Sequence, residues 1–429
     1  MRSLHVIQRY FPFQGGSERY FQALSERLAA AGDMVQVVTS QAWDLEYFWD
    51  PARRAVVDGP LEHNGVAIRR VPVAHLPLPS LSHRAIRRLM AESCRLPLPG
   101  RLPLLRLGSR YGPWLPALPA ELEAAGPVDL VHSANIAFES VIAAAQAHAR
   151  RHDLPHLVTP FVHLGERPGS KVRRYYTMPH QLALLARADA VMTLTELEAE
   201  YLAARGVPEQ VLHVVGAGID VPGSTGGIGE RAREALGSDG PLVLALGAAA
   251  FDKGSLHLLA AVRSLRRAGL PVELVFAGPM LSDFQAALAA IPANERGGIH
   301  ALGFVSDEAK RDLLAAADML ALPSRTESFG LVFLEAWANG KPVIGARAGA
   351  IPAVVADGVD GLLVEFGDAP GLAAALRRLV EEPGLRAELG RNGRRKVVDE
   401  AEWFGRVRAV YNQVLGSRGS VASGIGVAG

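Results

Sequence analysis

Short apolar runs alternate along this chain with stretches whose apolar residues recur at helical spacing. The first 40 residues read as an apolar run (LHVIQRY), a glycine-rich loop (FPFQGGS), an amphipathic stretch closing at Gly32, and a second apolar run (MVQVVTS). This order predicts a βαβ unit. The alternation recurs at VDLVHS, HLVTPFVH and DAVMTLT, with helices predicted over 136–151 and 179–187. A doubly wound parallel sheet is the fold that such alternation favours.

A second series of the same kind follows residue 240. Between the two series, PGSTGGIGERAREALGSDG has the glycine, serine and charge content of a linker. The strands of the second series are predicted at PLVLALG, PVELVFAG, GIHALGFV, ADMLALP, KPVIGA and GLLVE, and its helices over 254–268, 281–291, 307–316, from about Gly330, near 351 and within 386–415. The predicted boundaries are 1–222 for an N-terminal Rossmann-like domain, 223–240 for the linker, 241–400 for a C-terminal Rossmann-like domain, 401–416 for a last helix that crosses back, and 417–429 for a disordered tail.

The composition indicates which kind of protein this is, and it is consistent with the α/β fold predicted above. The 429 residues suffice for two domains, and 49% hydrophobic against 21% charged residues is typical of a folded soluble protein. The 45 basic residues nearly balance the 44 acidic ones, so the protein lacks the large net positive charge that would attract nucleic acid. The beginning of the chain lacks the apolar run of a signal peptide, and no run is long enough to cross a membrane. We therefore expect a cytoplasmic protein.

One segment of the first half has an unusual charge. Residues 84–110 contain seven arginines and a single acid, Glu92, within a stretch rich in proline and leucine. The segment has two interpretations: a solvated insertion whose arginine stems cover apolar surface, or a basic and apolar patch for an anionic membrane or a phosphate-bearing acceptor. Peripheral contact at the inner membrane face through 84–110 thus stays open.

The clearest chemical signal is TESFGLVFLEAWANGKPV, residues 326–343. The predicted helix is apolar on nearly every side and yet contains Glu335, while Glu327 precedes it in the loop. Glutamate is rarely buried without a partner, and a carboxylate offers two oxygens to two neighbouring hydroxyls. Glu335 therefore needs a partner, and the 2- and 3-hydroxyls of a ribose are one example of such a pair. Glu327 has a plainer alternative, an acid favoured near a helix N-terminus.

Three further features are predicted at the carboxyl ends of strands, where open α/β sheets bind ligands. They are the pair Gly15 and Gly16, His163, and Lys253 with Gly254. Each has an ordinary alternative: a tight turn, a polar loop histidine and a surface lysine. HDLPH spaces two histidines four apart, but its proline argues against a helical zinc pair, and there is no Asp-x-Asp motif.

Taken together, these segments resemble the retaining glycosyltransferases of family 4. ESFGLVFLE matches the family's E-x7-E motif, YFPFQGGSERY its Gly-Gly-x-Glu loop, VTPFVHLG its histidine segment and FDKG its phosphate-binding Lys-Gly, and VVGAGID, VFAGP and LGFVSDE match further landmarks. The resemblance covers nearly the whole chain. It implies the GT-B fold, two Rossmann-like domains with the active site in an interdomain cleft.

The resemblance also implies roles and partners. The expected activity is transfer with retention, without metal or cofactor, from a nucleotide-sugar, with UDP favoured, to a saccharide, lipid-linked or small-molecule acceptor; nucleic acid is not an expected partner. The implied site residues are Glu335 for the ribose, Glu327 for the donor sugar, Lys253 for the diphosphate, Phe329, Gly330 and Leu331 through their N–H groups, Phe304 and Val305 for the base, His163 beside the reacting sugar, and Gly16 near phosphate and acceptor.

One position departs from the family pattern. An arginine usual in the G-R-x4-K-G motif is replaced by Ala248, so a second cation for the diphosphate is missing. Candidate substitutes are Arg9, Arg167, Arg325 and Arg347. The departure keeps open a catalytically inactive carbohydrate-binding subunit. A GT-B epimerase or phosphorylase is disfavoured by the E-x7-E match, and a dinucleotide oxidoreductase by the lack of G-x-G-x-x-G.

Overall fold

A computed structural model describes residues 1–13, 15–97, 100–167 and 170–424. The chain forms two compact α/β units. Unit 1 consists of Met1–Val162, Arg173–Val215 and the chain from Phe404 onward, and unit 2 of His163–Val172 and Gly216–Trp403. The change of unit at 216 comes before the predicted linker, and the short segment from His163 belongs to the second unit rather than the first.

Unit 1 is built on an eight-stranded sheet. Its order is β3-β4-β2-β1-β5-β6-β7-β8, and every pairing is parallel except β3 with β4. Strands β3, β4 and β8 were not predicted, because two of them are only two or three residues long and VAIRRV carries two arginines. The strands are β1 Arg2–Val6, β2 Met34–Ser40, β3 Glu62–His63, β4 Val66–Val71, β5 Leu130–Ala134, β6 His156–Thr159, β7 Ala190–Thr193 and β8 Leu212–Val214.

The helices of unit 1 include two within the arginine-rich segment that the sequence pattern did not predict. Pro79 is the first residue of α2 and Pro103 the third of α3. Proline is tolerated there because the first N–H groups of a helix have no intrahelical partner. The helices are α1 Gly16–Ala30, α2 Pro79–Ser93, α3 Arg101–Ser109, α4 Leu118–Glu123, α5 Glu139–Arg151, α6 Lys171–Tyr176 (which begins in unit 2), α7 Pro179–Leu185 and α8 Glu196–Ala203.

Unit 2 has a six-stranded, fully parallel sheet in the order β11-β10-β9-β12-β13-β14. All six strands lie in the predicted apolar runs. Strands β9, β12 and β13 are wholly buried and β10 nearly so, as expected for strands covered on both faces, whereas the edge strands β14 and β11 are half and only partly buried, respectively. The strands are β9 Leu242–Leu246, β10 Glu273–Ala277, β11 Ile299–Gly303, β12 Met319–Leu322, β13 Val343–Ala346 and β14 Gly361–Val364.

Residues 223–240, expected to link the domains, are instead part of unit 2. They contain a helix whose Ala232 is buried in the unit 2 core. Glycine and charge mark that helix's ends and exposed face, not a flexible connection. The helices here are α9 Val221–Ser224, α10 Gly229–Leu236, α11 Ser255–Arg267, α12 Ser282–Ala289, α13 Asp307–Ala316, α14 Leu331–Ala338, α15 Ile351–Val354, α16 Ala369–Glu381 and α17 Pro383–Arg394.

The last helix, α18, spans Glu400–Gly424. From Phe404 it belongs to unit 1, where Tyr411 is fully buried and its hydroxyl contacts His5 and His132. The predicted disordered tail is therefore helical over 417–424, and 425–429 lie outside the described residues. Within the described chain, none of the helices combines the length and the apolar character needed to cross a membrane.

Candidate functional site

The strand order of unit 2 reverses between β9 and β12. The chain proceeds from β9 outward through β10 to β11 and then returns to the other side of β9. In such sheets the loops after the two central strands diverge and leave a crevice at the carboxyl edge. The two loops here are 247–254, GAAAFDKG, and 323–330, PSRTESFG. They contain Lys253 and Glu327, two of the predicted site residues.

Glycine allows these two loops to approach each other closely. Gly254 has φ +73°, and a Cβ there would lie 2.1 Å from the Pro323 carbonyl oxygen. Gly330, with φ +89°, directly precedes α14, and a Cβ there would meet the Phe333 ring at 2.7 Å. Only glycine meets both demands without strain.

Cation–carboxylate pairs join the two loops. The Lys253 ammonium contacts the Glu327 carboxylate and also donates to the Thr326 carbonyl at 3.3 Å. Arg325 donates through Nε to Asp252 at 2.9 Å, and its backbone N–H donates to the Asp252 carbonyl at 3.0 Å. Both side chains of the first pair are mostly buried, so the structure brings an ammonium and a carboxylate together at the crevice.

Glu335 lies on α14 with a partner that the sequence did not reveal. Its carboxylate is 2.9 Å from the ammonium of Lys310 on α13. α14 is anchored by Trp337, whose indole is fully buried and donates to the Asp360 carbonyl at 2.9 Å. The apolar helix thus fixes the acid, and Lys310 neutralises it.

The segment that contains His163 packs with these loops in unit 2. The Gly349 N–H donates to the Gly165 carbonyl at 2.9 Å, and Glu166 lies 3.7 Å from Arg325. Burial, with a smaller contribution from the Lys253 cation, lowers the pKa of His163 to about 3. Its imidazole is therefore neutral near pH 7, which suits a hydrogen-bonding group better than a proton donor.

The other residues predicted in unit 2 have different exposures. Phe304, just after β11, is 62% exposed, whereas Val305, Phe329 and Leu331 are partly buried against the unit 2 core. Leu331 is the first residue of α14, so its backbone N–H belongs to the first turn, where intrahelical acceptors are lacking, and Phe329 and Gly330 directly precede the helix.

Gly16 lies in unit 1, at the first position of α1 and after the central strand β1. A Cβ on Gly16 would meet nothing within 4 Å, whereas one on Gly15 would lie 2.3 Å from a carboxylate oxygen of Glu18. Local packing therefore requires glycine at 15 and leaves open space at 16.

Three of the candidate substitutes for the missing arginine have identifiable partners. Arg9 of unit 1 is buried and contacts Glu18 at 3.0 Å, and Arg347 contacts Asp357. Arg325 lies in the paired loops, 5.2 Å from the Phe251 ring centroid. Arg167 is exposed. Arg325 is thus the candidate next to the Lys253 loop.

Solved structures identify the fold of this chain. The chain is similar to sucrose-phosphate synthase of Thermosynechococcus elongatus, with TM-score 0.71 and 22% identity over 97% of this chain and 100% of the other. It is also similar to Anabaena HepE, solved with UDP and glucose, with TM-score 0.70 and 18% identity over 96% and 100%. The fold is GT-B.

Family models account for most of the sequence. The model described as glycosyl transferases group 1 matches residues 229–396, and that of the glycosyl transferase 4-like domain matches 15–218. The chain belongs to the group 1 glycosyltransferases.

Two curated relatives are similar over part of their length. The MMP alpha-(1->4)-mannosyltransferase of Mycolicibacterium hassiacum is 32% identical over 254 residues, 57% of this chain and 59% of the relative. The D-inositol 3-phosphate glycosyltransferase of Saccharomonospora viridis is 36% identical over 224 residues, 49% and 52%. The chain thus spans little more than half the length of these relatives.

Proposed function

We propose that this protein transfers a sugar from a nucleotide-sugar to a hydroxyl acceptor with retention of anomeric configuration. The observation that carries the proposal is the pairing of Lys253 with Glu327 at the reversal point of the unit 2 sheet. An ammonium for the diphosphate and a carboxylate for the sugar are the two charges that this donor needs side by side.

Each site residue then has a task. Glu335 would accept hydrogen bonds from the two ribose hydroxyls, and the N–H groups of Phe329, Gly330 and Leu331 would face the sugar and phosphate. Lys253 would bind the diphosphate, with Arg325 the candidate for a second cation. Phe304, exposed next to Val305, would lie against the base.

The proposed reaction needs little from the protein beyond positioning and charge. The acceptor oxygen bonds to the anomeric carbon on the face from which the diphosphate departs, and the acceptor proton passes to the leaving phosphate oxygen. Lys253 would stabilise the negative charge that develops on that phosphate. Neutral His163 would hydrogen-bond the reacting sugar. We propose that the transfer needs neither metal nor cofactor.

UDP is the nucleotide that we propose. HepE was solved with UDP and glucose, and the two curated relatives carry names of sugar transferases. A saccharide, lipid-linked or small-molecule acceptor fits the same proposal, and we propose a cytoplasmic site of action.

The proposal is tested by slow hydrolysis of the donor. The purified protein, incubated with UDP-, GDP- and ADP-sugars, is expected to release UDP from at least one UDP-sugar, measured by a coupled nucleotide assay. If UDP binds in calorimetry but no donor is turned over with any acceptor, the inactive carbohydrate-binding subunit is the better explanation.

A second proposal concerns the arginine-rich segment, where we propose peripheral docking on an anionic membrane. Six leucines of this segment and its flank are each more than half exposed, which is unusual in such number. They are Leu78, Leu81, Leu89, Leu96, Leu104 and Leu107. Five exposed arginines accompany them: Arg84, Arg88, Arg95, Arg106 and Arg110. We call these eleven residues the leucine–arginine surface.

The remaining two arginines have partners within unit 1. Arg87 contacts the fully buried carboxylate of Glu139 on α5, and Arg101 donates to the Cys94 and Leu96 carbonyls. Arg87 therefore joins the segment to α5, and Arg101 stabilises it internally, while the five other arginines are exposed beside leucine. Apolar side chains with basic neighbours suit the boundary between acyl chains and anionic headgroups.

Liposome binding checks this second proposal. We expect the protein to bind vesicles containing phosphatidylserine and not neutral ones, and binding to fall as salt shortens the Debye length below about 8 Å. The variant Leu81→Ser/Leu89→Ser should bind several-fold more weakly, whereas Leu61→Ser, at an exposed leucine outside the segment, should bind like the wild type. Equal binding to neutral and anionic vesicles would exclude the electrostatic contribution.

A further inference from the structure

Two histidines and a glutamate meet at the surface of unit 1. Glu123 is the last residue of α4, His148 lies in the last turn of α5, and His152 directly follows α5. His148 Nδ1 is 3.3 Å from Glu123 Oε1, and His152 Nε2 is 2.7 Å from Glu123 Oε2. One ligand atom from each of the three residues lies within 4.8 Å of the others.

We propose that Glu123, His148 and His152 bind a divalent transition-metal ion of the Zn²⁺ type. Imidazole nitrogen and carboxylate oxygen are ligands that zinc prefers, and two histidines with one glutamate form an established zinc ligand set. The fourth position would be taken by water. This proposal is independent of the glycosyl transfer proposed above.

The present distances are close to those of a metal site. Zinc bonds of about 2.0–2.1 Å to nitrogen and about 2.0–2.2 Å to oxygen place tetrahedral ligand atoms roughly 3.4 Å apart. The 3.3 Å from His148 Nδ1 to Glu123 Oε1 already has this value, and the 2.7 Å from His152 Nε2 to the other oxygen, Oε2, must open by about 0.7 Å. Because one oxygen would serve as the ligand beside both rings, the Glu123 carboxylate must also rotate. His152 and Glu123 are both partly exposed, so side-chain rotation suffices, whereas His148 is buried and is held in place.

The histidine that joins His152 in this cluster is His148, four residues before it, and not His156, four residues after it. In the sequence, His152 and His156 have the same separation, but His156 is buried in β6, where its ring contacts Ser133 at 2.8 Å. His148 is instead one helical turn before His152, so both rings lie on one side of α5, with ring centroids 4.6 Å apart.

The Arg151 guanidinium would compete with the zinc ion for the Glu123 carboxylate. Arg151 donates to Glu123 Oε1 at 2.8 Å and would share or release this oxygen on metal binding. The cluster without metal is a histidine–carboxylate–arginine network joining α4 to α5. Removing Arg151 should therefore strengthen metal binding, an effect with no counterpart if the network is only an ion-pair cluster.

Calorimetric titration of the full chain with ZnCl₂, in a buffer that does not chelate zinc, tests the proposal. We expect one ion per chain at this site, and an affinity at least tenfold lower for His152→Gln, because even loss of an outer-sphere partner costs a metal site about ten- to a hundredfold. Arg151→Gln should bind several-fold more tightly. Since an ion that binds only the folded state stabilises it, Zn²⁺ should also raise the melting temperature.

A matched control uses another surface pair. His63 lies 3.6 Å from Glu26 without a second histidine in that ion pair, so His63→Gln should bind zinc like the wild type. Circular dichroism would establish that each variant is folded. Unchanged zinc affinity in His152→Gln, or an equal loss in His63→Gln, would overturn the assignment. Co²⁺ provides a second readout, because tetrahedral coordination would give visible absorption that His152→Gln removes.

Discussion

Glutamine in place of Glu327 is expected to lower the rate of sugar transfer about ten- to a hundredfold without weakening the binding of free UDP. The loss corresponds to one charged hydrogen bond, about 1.5–3 kcal/mol, missing from the transition state. The structure adds a reason why UDP binding should be unchanged or tighter. Glu327 contacts Lys253, so a diphosphate must share Lys253 with this carboxylate.

The matched variant for this prediction is Lys253→Met, which keeps an unbranched side chain of nearly the same length and removes its charge. We expect UDP affinity to fall about ten- to a hundredfold, because a charge-assisted contact to the diphosphate is lost. Calorimetry with UDP and initial rates with the donor separate the two outcomes. If Glu327→Gln weakens UDP binding as much as Lys253→Met does, the pair acts as one structural unit and the proposed division of roles is wrong.

Glutamine in place of Glu335 is expected to weaken UDP binding about ten- to a hundredfold and to reduce discrimination against 2′-deoxy-UDP. A carboxylate that accepts from both ribose hydroxyls loses its charge in the variant, so the ribose hydroxyl contributes less. The wild type should prefer UDP to 2′-deoxy-UDP, and calorimetry with the two nucleotides measures this preference directly.

Lys310→Met provides the contrast for this second experiment. The 2.9 Å contact between Lys310 and Glu335 offers a purely structural explanation for the buried acid. If Glu335 only pairs with Lys310, both variants should lose stability alike and neither should change the preference for UDP over 2′-deoxy-UDP. If Glu335 binds ribose, only Glu335→Gln should reduce that preference, whatever its effect on the melting temperature.

The sheet of unit 2 was predictable strand by strand, and that of unit 1 only in part. Strands buried on both faces are short continuous apolar runs, so β9, β10, β12 and β13 are visible in the sequence, and the less buried edge strands β11 and β14 still contain apolar runs. Strand β4 lies closer to the sheet edge and contains Arg69 and Arg70, so its pattern is not that of a buried strand. The helix from 229 to 236 was missed because its glycine-rich ends resemble a linker.

Some residues of the proposed donor site were also predictable from the sequence, whereas one was not. Glu335 was recognisable because an acid within an apolar helix is costly without a partner, and Lys253 and Glu327 because they match a motif. Lys310 had no such signal: it is an ordinary lysine on an amphipathic helix, 25 residues from Glu335 along the chain. Its pairing depends on how α13 and α14 pack.

The sequence by itself determined two features of this protein, the α/β alternation and the identity of the charged residues near its glycine-rich loops. Both are encoded locally, since burial periodicity and turn chemistry act over a few residues. Only the tertiary structure decided which charges meet: Lys253 with Glu327, Lys310 with Glu335, and Glu123 with His148 and His152. Such pairings join residues from separate elements, and their distances follow from strand order and helix packing, which no local pattern specifies.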